Sequence, residues 1–578
     1  MVTSKKKMAV RCGVVFTAVA VALPLLTFVG TGTASAAKVA EQTSFPRNET
    51  VYTSGTAYSP PTNFNFNDPG ALYTGTQGLL YESLFLYDPI HNKYIPWLAT
   101  SGSWSGDTYT MQIRNGVDWV QSPSQAVTGT LTGADVAFSI NMERNDAAAA
   151  YHANVASVAS VTSSGQTVAV HFTSAPAYTE WQDYLWQGSI VPASIWGTWS
   201  AANQVTGANM TPVSSGPMTL DTTSSTEACF QTNPHWWGAQ IGLSFKFKYL
   251  CDSVNGSNNV ELAALTTDQI DWSNNFLPGI STLIAGLNGT GAYGITSYYP
   301  KAPFMLSANT AWLELNTTKA PMSNVNFRKA VAYGINPQGV ASGVYTGIVK
   351  QANPVGLLPN LDSFLNPKVV SQYGFNYNPT LAKKYLAASG YKGQTVTLEV
   401  PDGWTDWMAA IQNISSQLNA IGIKVTPIFP QDSARNADLT DGTYDMAIDN
   451  NATPDSTPWS YFERVYNLPI LKQQNAQLNW ERYTDNKAWA LVQEAATVPV
   501  SNTAKLDSIY SQLESRFLQD LPEIPLWYNG AWFQAQSTVW KNYPSSVNPS
   551  DQYTPVLWHG WIGNMTTVLA LAQLVPAS

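Results

Sequence analysis

Between Ser215 and Asp271 the chain spells out one compact supersecondary unit. Ser215-Gly-Pro-Met-Thr-Leu220 reads as a strand. Cys229-Phe-Gln-Thr-Asn-Pro-His-Trp-Trp-Gly238 reads as a second strand running into a turn, and Glu261-Leu-Ala-Ala-Leu-Thr-Thr-Asp-Gln-Ile-Asp271 as a helix closed by a short acidic turn. Proline, asparagine and glycine punctuate the unit where the backbone must change direction. A chain that must accommodate this order needs a sheet with helices packed against it, and hence a mixed α/β architecture.

The same alternation continues on both sides. Asp107 to Arg114 alternates apolar and polar residues, as a half-buried strand does; Asn115-Gly116 turns and Val117-Asp-Trp119 resumes. Thr132 and Asp135 have the spacing of an N-cap and its partner at the start of a helix through Ile140. Leu79, Leu80, Leu84 and Phe85 have helical spacing over Thr76–Phe85. Further on, Ala311–Asn316, Thr395–Val400, Gly422–Thr426 and Asp441–Ile448 read as strands. Val325–Ile335, Leu381–Tyr391 and Met408–Ile421 read as helices. Ile524-Pro-Leu-Trp-Tyr528 reads as a crossover strand back toward the first half.

The first 37 residues read as an export signal. Lys5, Lys6, Lys7 and Arg11 precede the apolar run Val14–Val29, and Ala34-Ser35-Ala36 supplies the small residues of a cleavage site near Ala36 or Ala37. The run is short for a spanning helix, and no other stretch is long and apolar enough to cross a bilayer. Cys12 lies before the apolar run, so it cannot act as a lipoprotein anchor. With those four cations removed, the formal charge falls from −9 to about −13. Such a balance excludes a nucleic-acid binder, which needs clustered Lys and Arg for phosphate. Charged residues make up only 12% of the chain while Trp (21) and Tyr (28) abound, a composition suited to a neutral polar ligand. Of the two remaining cysteines, Cys229 and Cys251, export favours a disulfide over two free thiols. Two Cys without nearby His cannot complete a tetrahedral metal site.

These segments closely resemble, in order and over nearly the whole mature chain, the family 5 extracellular solute-binding proteins, the peptide- and nickel-type receptors of ABC importers. The carriers are Gly216-Pro217, Asn233-Pro-His-Trp-Trp-Gly238 and the helix ending at Asp271. They are joined by Tyr109-Thr-Met-Gln-Ile-Arg114 with Val117-Asp-Trp119, the Thr132 helix, and Leu315-Asn316 with Phe327-Arg-Lys-Ala330. The resemblance implies a two-lobed periplasmic-binding-protein-like fold of type II, with an extra subdomain in lobe one. Lobe one then comprises 38–308 plus 530–578, and lobe two 309–529. It implies a monomer that holds a small-molecule ligand, oligosaccharide or oligopeptide, and delivers it to ABC permease subunits, with no cofactor.

Three aromatic clusters suggest where the ligand sits: Gly403-Trp-Thr-Asp-Trp407, Thr457-Pro-Trp-Ser-Tyr-Phe462, and Tyr58 through Phe66. The first two resemble segments of the oligosaccharide-binding branch. Indole rings stack on sugar C–H faces, which points to Trp404, Trp407 and Trp459 as a platform. Asn450, Asn451 and Asp455 are the polar candidates, and Tyr58 and Asn65 face them from the other lobe. Peptide-binding members carry an Asp for the ligand's α-amino group at a position matching Thr453 here; Asp455, two residues on, could compensate.

Enzyme readings fare worse. Gly289-Thr-Gly-Ala-Tyr-Gly294 has the spacing of a dinucleotide fingerprint, but a strand, Ile295–Tyr299, follows it where a helix is required. A secreted glycoside hydrolase would need two carboxylates about a scissile bond, for which Asp402, Asp406, Asp449 and Asp455 are available. The five His, at 91, 152, 171, 235 and 559, are scattered, so no metal site is expected and nickel binding is a minor option.

Overall fold

The computed structural model describes residues 45–54, 63–68, 74–173, 178–285, 294–451, 454–468, 478–548, 553–555 and 565–577. The expected export signal, Tyr58, Thr453, His559 and most of Gly289–Gly294 lie outside the described residues.

Two sheets organise the chain. The first has seven strands, in the spatial order Met218–Thr223, Glu227–Thr232, Tyr249–Ser253, Thr50–Ser54, Trp272–Ser273, Gln534–Gln536 and Ile295–Thr296. Strand Thr50–Ser54 lies at its centre, parallel to both Tyr249–Ser253 and Trp272–Ser273. The second sheet has five strands, in the order Val425–Ile428, Val396–Glu399, Met446–Asn451, Ser307–Leu315 and Glu523–Gly530. Strand Val396–Glu399 is parallel to its two neighbours, and Ser307–Leu315 antiparallel to its own. We call the body on the first sheet lobe one and that on the second lobe two. A four-stranded antiparallel sheet, Ala99–Ser105, Thr108–Ile113, Thr167–Phe172 and Val158–Ser164, adds the extra subdomain.

The unit between Ser215 and Asp271 shows why its residues are so specific. Strands Met218–Thr223, Glu227–Thr232 and Tyr249–Ser253 are consecutive antiparallel neighbours, and Cys229 lies directly opposite Cys251. The two are joined by a disulfide, with Cα atoms 4.1 Å apart. Beyond it, the buried carboxylate of Glu82 collects the indole N–H groups of Trp97 (2.8 Å), Trp236 (3.2 Å) and Trp237 (3.0 Å), and the hydroxyl of Ser215 (2.8 Å). Gly238 packs against the ring of Trp236, where a Cβ would stand 2.3 Å from it. Asp271 accepts two bonds from Arg47 and one from the main-chain N–H of Tyr52, which ties the acidic turn to the central strand.

One expectation is corrected. Thr76–Phe85 is a run of turns leading into strand Phe85–Asp88, not a helix. Gly75 and Gly78 adopt φ +84° and +90°, and the N–H groups of Leu80 and Tyr81 fold back on Gly75 and Thr76. Leu79, Leu80 and Leu84 are buried all the same, because the whole segment is enclosed. Periodicity alone cannot separate an enclosed turn from a buried helix. The Thr132 start, by contrast, is as read: the Asp135 carboxylate accepts from the Thr132 N–H at 2.8 Å, and helix Gly133–Asn145 follows.

Candidate functional site

The chain leaves lobe one before strand Ser307–Leu315 and returns to it after Glu523–Gly530. These crossings lie side by side: Ser307 pairs with Gly530, and the Ala531 N–H donates to the Leu306 carbonyl at 2.7 Å. A cavity of about 660 Å³ opens beside them, between the lobes. That is in the range of a small-ligand site. Its lobe-one wall includes Ile90, Tyr299, Lys301 and Met565; its lobe-two wall includes Ile348, Lys350, Asn360, Pro454 and Tyr528. The Tyr528 hydroxyl is held in place by the N–H (3.0 Å) and side-chain amide (2.9 Å) of Asn353, so its ring has one defined orientation. Apolar Pro, Ile, Met and Val side chains make up much of the wall. No carboxylate lines it among the described residues.

A smaller interlobe space, about 300 Å³, is bounded by Phe276, Pro278, Tyr345, Thr405, Asp406 and neighbouring residues. Here the lobes touch through polar groups. Asn258 of lobe one donates to Thr405 Oγ1 at 3.2 Å and to Asp406 Oδ1 at 3.5 Å, and the Tyr345 hydroxyl donates to Asp406 Oδ2 at 3.0 Å. Burial pushes the Asp406 carboxyl up to about 6, against the pull of these donors. Phe276 meets Tyr345 edge to face at 5.4 Å. On a third contact, helix Tyr178–Gln187 of lobe one packs against helices Trp459–Tyr466 and Asn486–Ala496 of lobe two. Asp183, buried there, makes no hydrogen bond of good geometry through either carboxylate oxygen among the described residues. Burial first, and the neighbouring Asp455, Glu463 and Glu180 next, push it well above the usual carboxylate range. One buried apolar cluster runs from lobe two into Tyr52, Tyr87 and Trp186 of lobe one, so the halves are packed together.

The residues singled out in the sequence fall in several places. Trp404 is half-buried and meets Trp407 edge to face at 4.7 Å. Trp407 is only 1% exposed and turned into the core of lobe two; Thr405, Asp406 and Ala409 of the same helix face the interlobe space instead. Trp459 is 2% exposed, and its indole N–H donates to the Val492 carbonyl at 3.2 Å. As placed, neither Trp407 nor Trp459 presents a face to the larger cavity, and all three indoles belong to lobe two. The rings of Trp407 and Trp459 are buried by packing within lobe two. Asn65 is fully buried and its amide bonds the carbonyls of Asn203, Gln204 and Gly207, a local scaffold role. Asn450 accepts from Asn529 at 3.4 Å, and Asn451 pairs through its backbone with Thr310; the Asn451 side chain is outside the described set. Asp455 is buried beside the cavity residue Pro454, accepts from the Ser460 hydroxyl, and gives its carbonyl to Asn360, which lines the cavity (2.9 Å). Tyr299, Tyr528, Lys301 and Lys350 were not foreseen. Tyr528 lies in the apolar return strand, where nothing in the local pattern separates a cavity wall from a core position.

The four acids available to a hydrolase do not converge. Asp402 is exposed, Asp406 lies under Tyr345 and Asn258, Asp449 pairs with Arg435 at 2.8 Å, and Asp455 is engaged by Ser460. The fold is thus a two-lobed α/β body with a partly open space between its halves, of a size that can hold a small solute.

Comparison with known proteins agrees. Residues 93–469 match the model of the bacterial extracellular solute-binding proteins, family 5, and the chain belongs to that family, one of solute-binding proteins rather than enzymes. Among solved structures, the periplasmic oligopeptide-binding protein of an oligopeptide ABC transporter from Thermotoga maritima, crystallised with mannohexaose bound, is 35% identical. The match covers 92% of this chain and 99% of that one, with a TM-score of 0.86. The peptide transport periplasmic protein SapA of Salmonella typhimurium is 23% identical over 526 residues, 85% of this chain and 89% of that protein. A match to the probable ABC transporter periplasmic-binding protein SapA of Escherichia coli is 25% identical but spans 39% of that protein.

Proposed function

We propose that this chain is the exported receptor of an ABC importer, which captures a short oligosaccharide between its lobes and passes it to the membrane permease. In this reading residues 1–37 are the export signal, 38–308 plus 530–578 form lobe one, and 309–529 form lobe two. The observation that carries the ligand class is the wall of the 660 Å³ cavity: tyrosine rings and apolar side chains, two lysines and no carboxylate among the described residues. Sugar rings offer C–H faces to Tyr299 and Tyr528 and hydroxyls to Asn360 and the lysines. A free peptide would bring an ammonium that needs a buried carboxylate partner. The mannohexaose complex of the Thermotoga protein supports the same reading.

An oligopeptide is the second reading, favoured by the peptide-transport relatives and by Asp455 standing next to the cavity wall. Calorimetric titration with manno- and cello-oligosaccharides, and in parallel with tri- to pentapeptides, separates the two. Saccharide binding that Tyr528→Ala weakens by about tenfold or more is expected. The saccharide should be recovered uncut. Heat released by peptides alone overturns the sugar reading, and cleavage of the saccharide overturns the receptor reading.

A further inference from the structure

The wall of the 660 Å³ cavity is charged in a way that ring stacking does not use. The chain as a whole is acidic, with 38 Asp and Glu against 29 Lys and Arg. The cavity reverses that balance: Lys301 and Lys350 line it, and no carboxylate does among the described residues. The two lysines stand on facing walls, Lys301 on lobe one and Lys350 on lobe two. Neither ammonium makes a hydrogen bond or an ion pair among the described residues. Both residues are exposed, so water can carry their charge without a protein partner. Their main chains are held in place. The Phe304 N–H donates to the Lys301 carbonyl at 2.9 Å, and the Tyr528 N–H donates to the Lys350 carbonyl at 2.9 Å. The second bond seats Lys350 beside Tyr528 of the same wall.

Thr554 supplies a second, independent observation. It lines the same cavity and is only 4% exposed, yet its hydroxyl has no hydrogen-bond partner among the described residues. Its main-chain N–H donates to the Thr566 hydroxyl at 2.7 Å, and its carbonyl accepts from the Thr567 hydroxyl at 3.2 Å, so the side-chain hydroxyl is the group left over. A buried hydroxyl without a partner is costly, and an acceptor on a solute would satisfy it. Two ammonium groups and a spare hydroxyl are all donors, and the partner that answers donors without offering any is an oxyanion. Uncharged sugar hydroxyls do not call for a cation on each wall. A peptide's ammonium would meet like charge there.

We propose that the solute is an acidic oligosaccharide, whose anionic groups are met by Lys301, Lys350 and the Thr554 hydroxyl while its rings lie against the tyrosines. The inference rests on the saccharide reading and narrows it. Anionic groups held from both walls are gripped best when the lobes are shut, and that is the differential contact closure requires. Lysine is a point charge without a planar fork, so it accepts a carboxylate or a sulfate alike.

Calorimetric titration of the full chain tests it, with saccharides of equal length: neutral manno-oligosaccharides, oligouronates and sulfated oligosaccharides. An acidic series should bind about tenfold or more tighter than the neutral one. That ratio should shrink as salt rises from about 0.1 M to about 1 M. Lys301→Met and Lys350→Met should each lower the affinity for the acidic saccharide more than for the neutral one, and Thr554→Val should act in the same direction. Lys505→Met, which removes the same charge at an exposed pair with Glu494, should leave the ratio unchanged. If Thr554→Val fails to fold, the two exposed lysines decide. Equal affinity for acidic and neutral saccharides overturns the inference, as does a preference that survives in both lysine variants. Binding of neutral saccharides alone also overturns it and leaves the sugar reading standing. Binding of peptides alone removes the sugar reading and the inference with it.

Discussion

Replacing Glu82 with leucine should be among the most damaging single changes in lobe one. The carboxylate is 1% exposed and accepts four donors: three indole N–H groups and the Ser215 hydroxyl. Leucine fills most of the volume and pairs with none of them. Each donor orphaned in the interior costs about 1–3 kcal/mol, and the four are neighbours, so their penalties do not simply add. Taking the low end for each gives a loss of about 4 kcal/mol, a large share of the stability of an ordinary domain. The assay is urea unfolding at about pH 6, followed by near-ultraviolet circular dichroism, since Trp97, Trp236 and Trp237 all lose their partner. Glu82→Gln is the companion variant. Burial pushes the Glu82 carboxyl up to about 7 against those four donors, so near pH 6 the residue is largely a neutral acid and the amide imitates it. The glutamine form should stay within about 1.5 kcal/mol of the parent. A leucine variant that loses less than about 1 kcal/mol would show that the indoles are anchored by packing alone, and would refute the polar-hub account.

Global stability should fall between about pH 4.5 and 8. The carboxyls of Glu82, Glu143 and Glu261 are raised by burial to about 7, 8 and 8, so the folded chain keeps protons that the unfolded chain releases. Their contribution is fully present below the ordinary glutamate range and is lost as pH rises through these values; a melting temperature that climbs from pH 5 to 8 contradicts it. Asp183→Asn should raise the melting temperature more near pH 8 than near pH 5, because burial first, and Asp455, Glu463 and Glu180 next, raise this carboxyl and the cost of keeping it grows as pH rises above the ordinary aspartate range; equal effects at both pH values speak against the charge argument. Asn258→Ala removes donors that cross between the lobes at Thr405 and Asp406, so it should weaken solute binding about fivefold with little change in melting; unchanged affinity shows the contact is idle. Reducing the Cys229–Cys251 bond, which closes a loop with a sequence separation of 22, should cost roughly 3 kcal/mol in chemical unfolding, and a cost near zero shows the strand pairing alone holds this edge.

Much of the architecture was already written in local patterns. Alternation marked the strands, apolar periodicity most of the helix Thr405–Ile421, from Met408 on, and Thr132 with Asp135 a helix start, because strand and helix periods and capping chemistry act within a few residues. The motif around Asn233–Gly238 pointed to the right family of folds. Its reason emerged only in three dimensions, where Trp236 and Trp237 meet at a carboxylate more than 150 residues earlier in the chain. The binding wall was less legible. Trp407 and Trp459 looked like a platform because they sit in or beside polar loops, yet helix phase turns both inward. Tyr528 read only as the end of a crossover strand and lines the cavity, because a strand at a lobe crossing has one end in each environment. Sequence determines what each segment becomes, since propensity is local; only the tertiary structure decides which side chains share a space, because burial and charge pairing depend on what arrives from elsewhere in the chain.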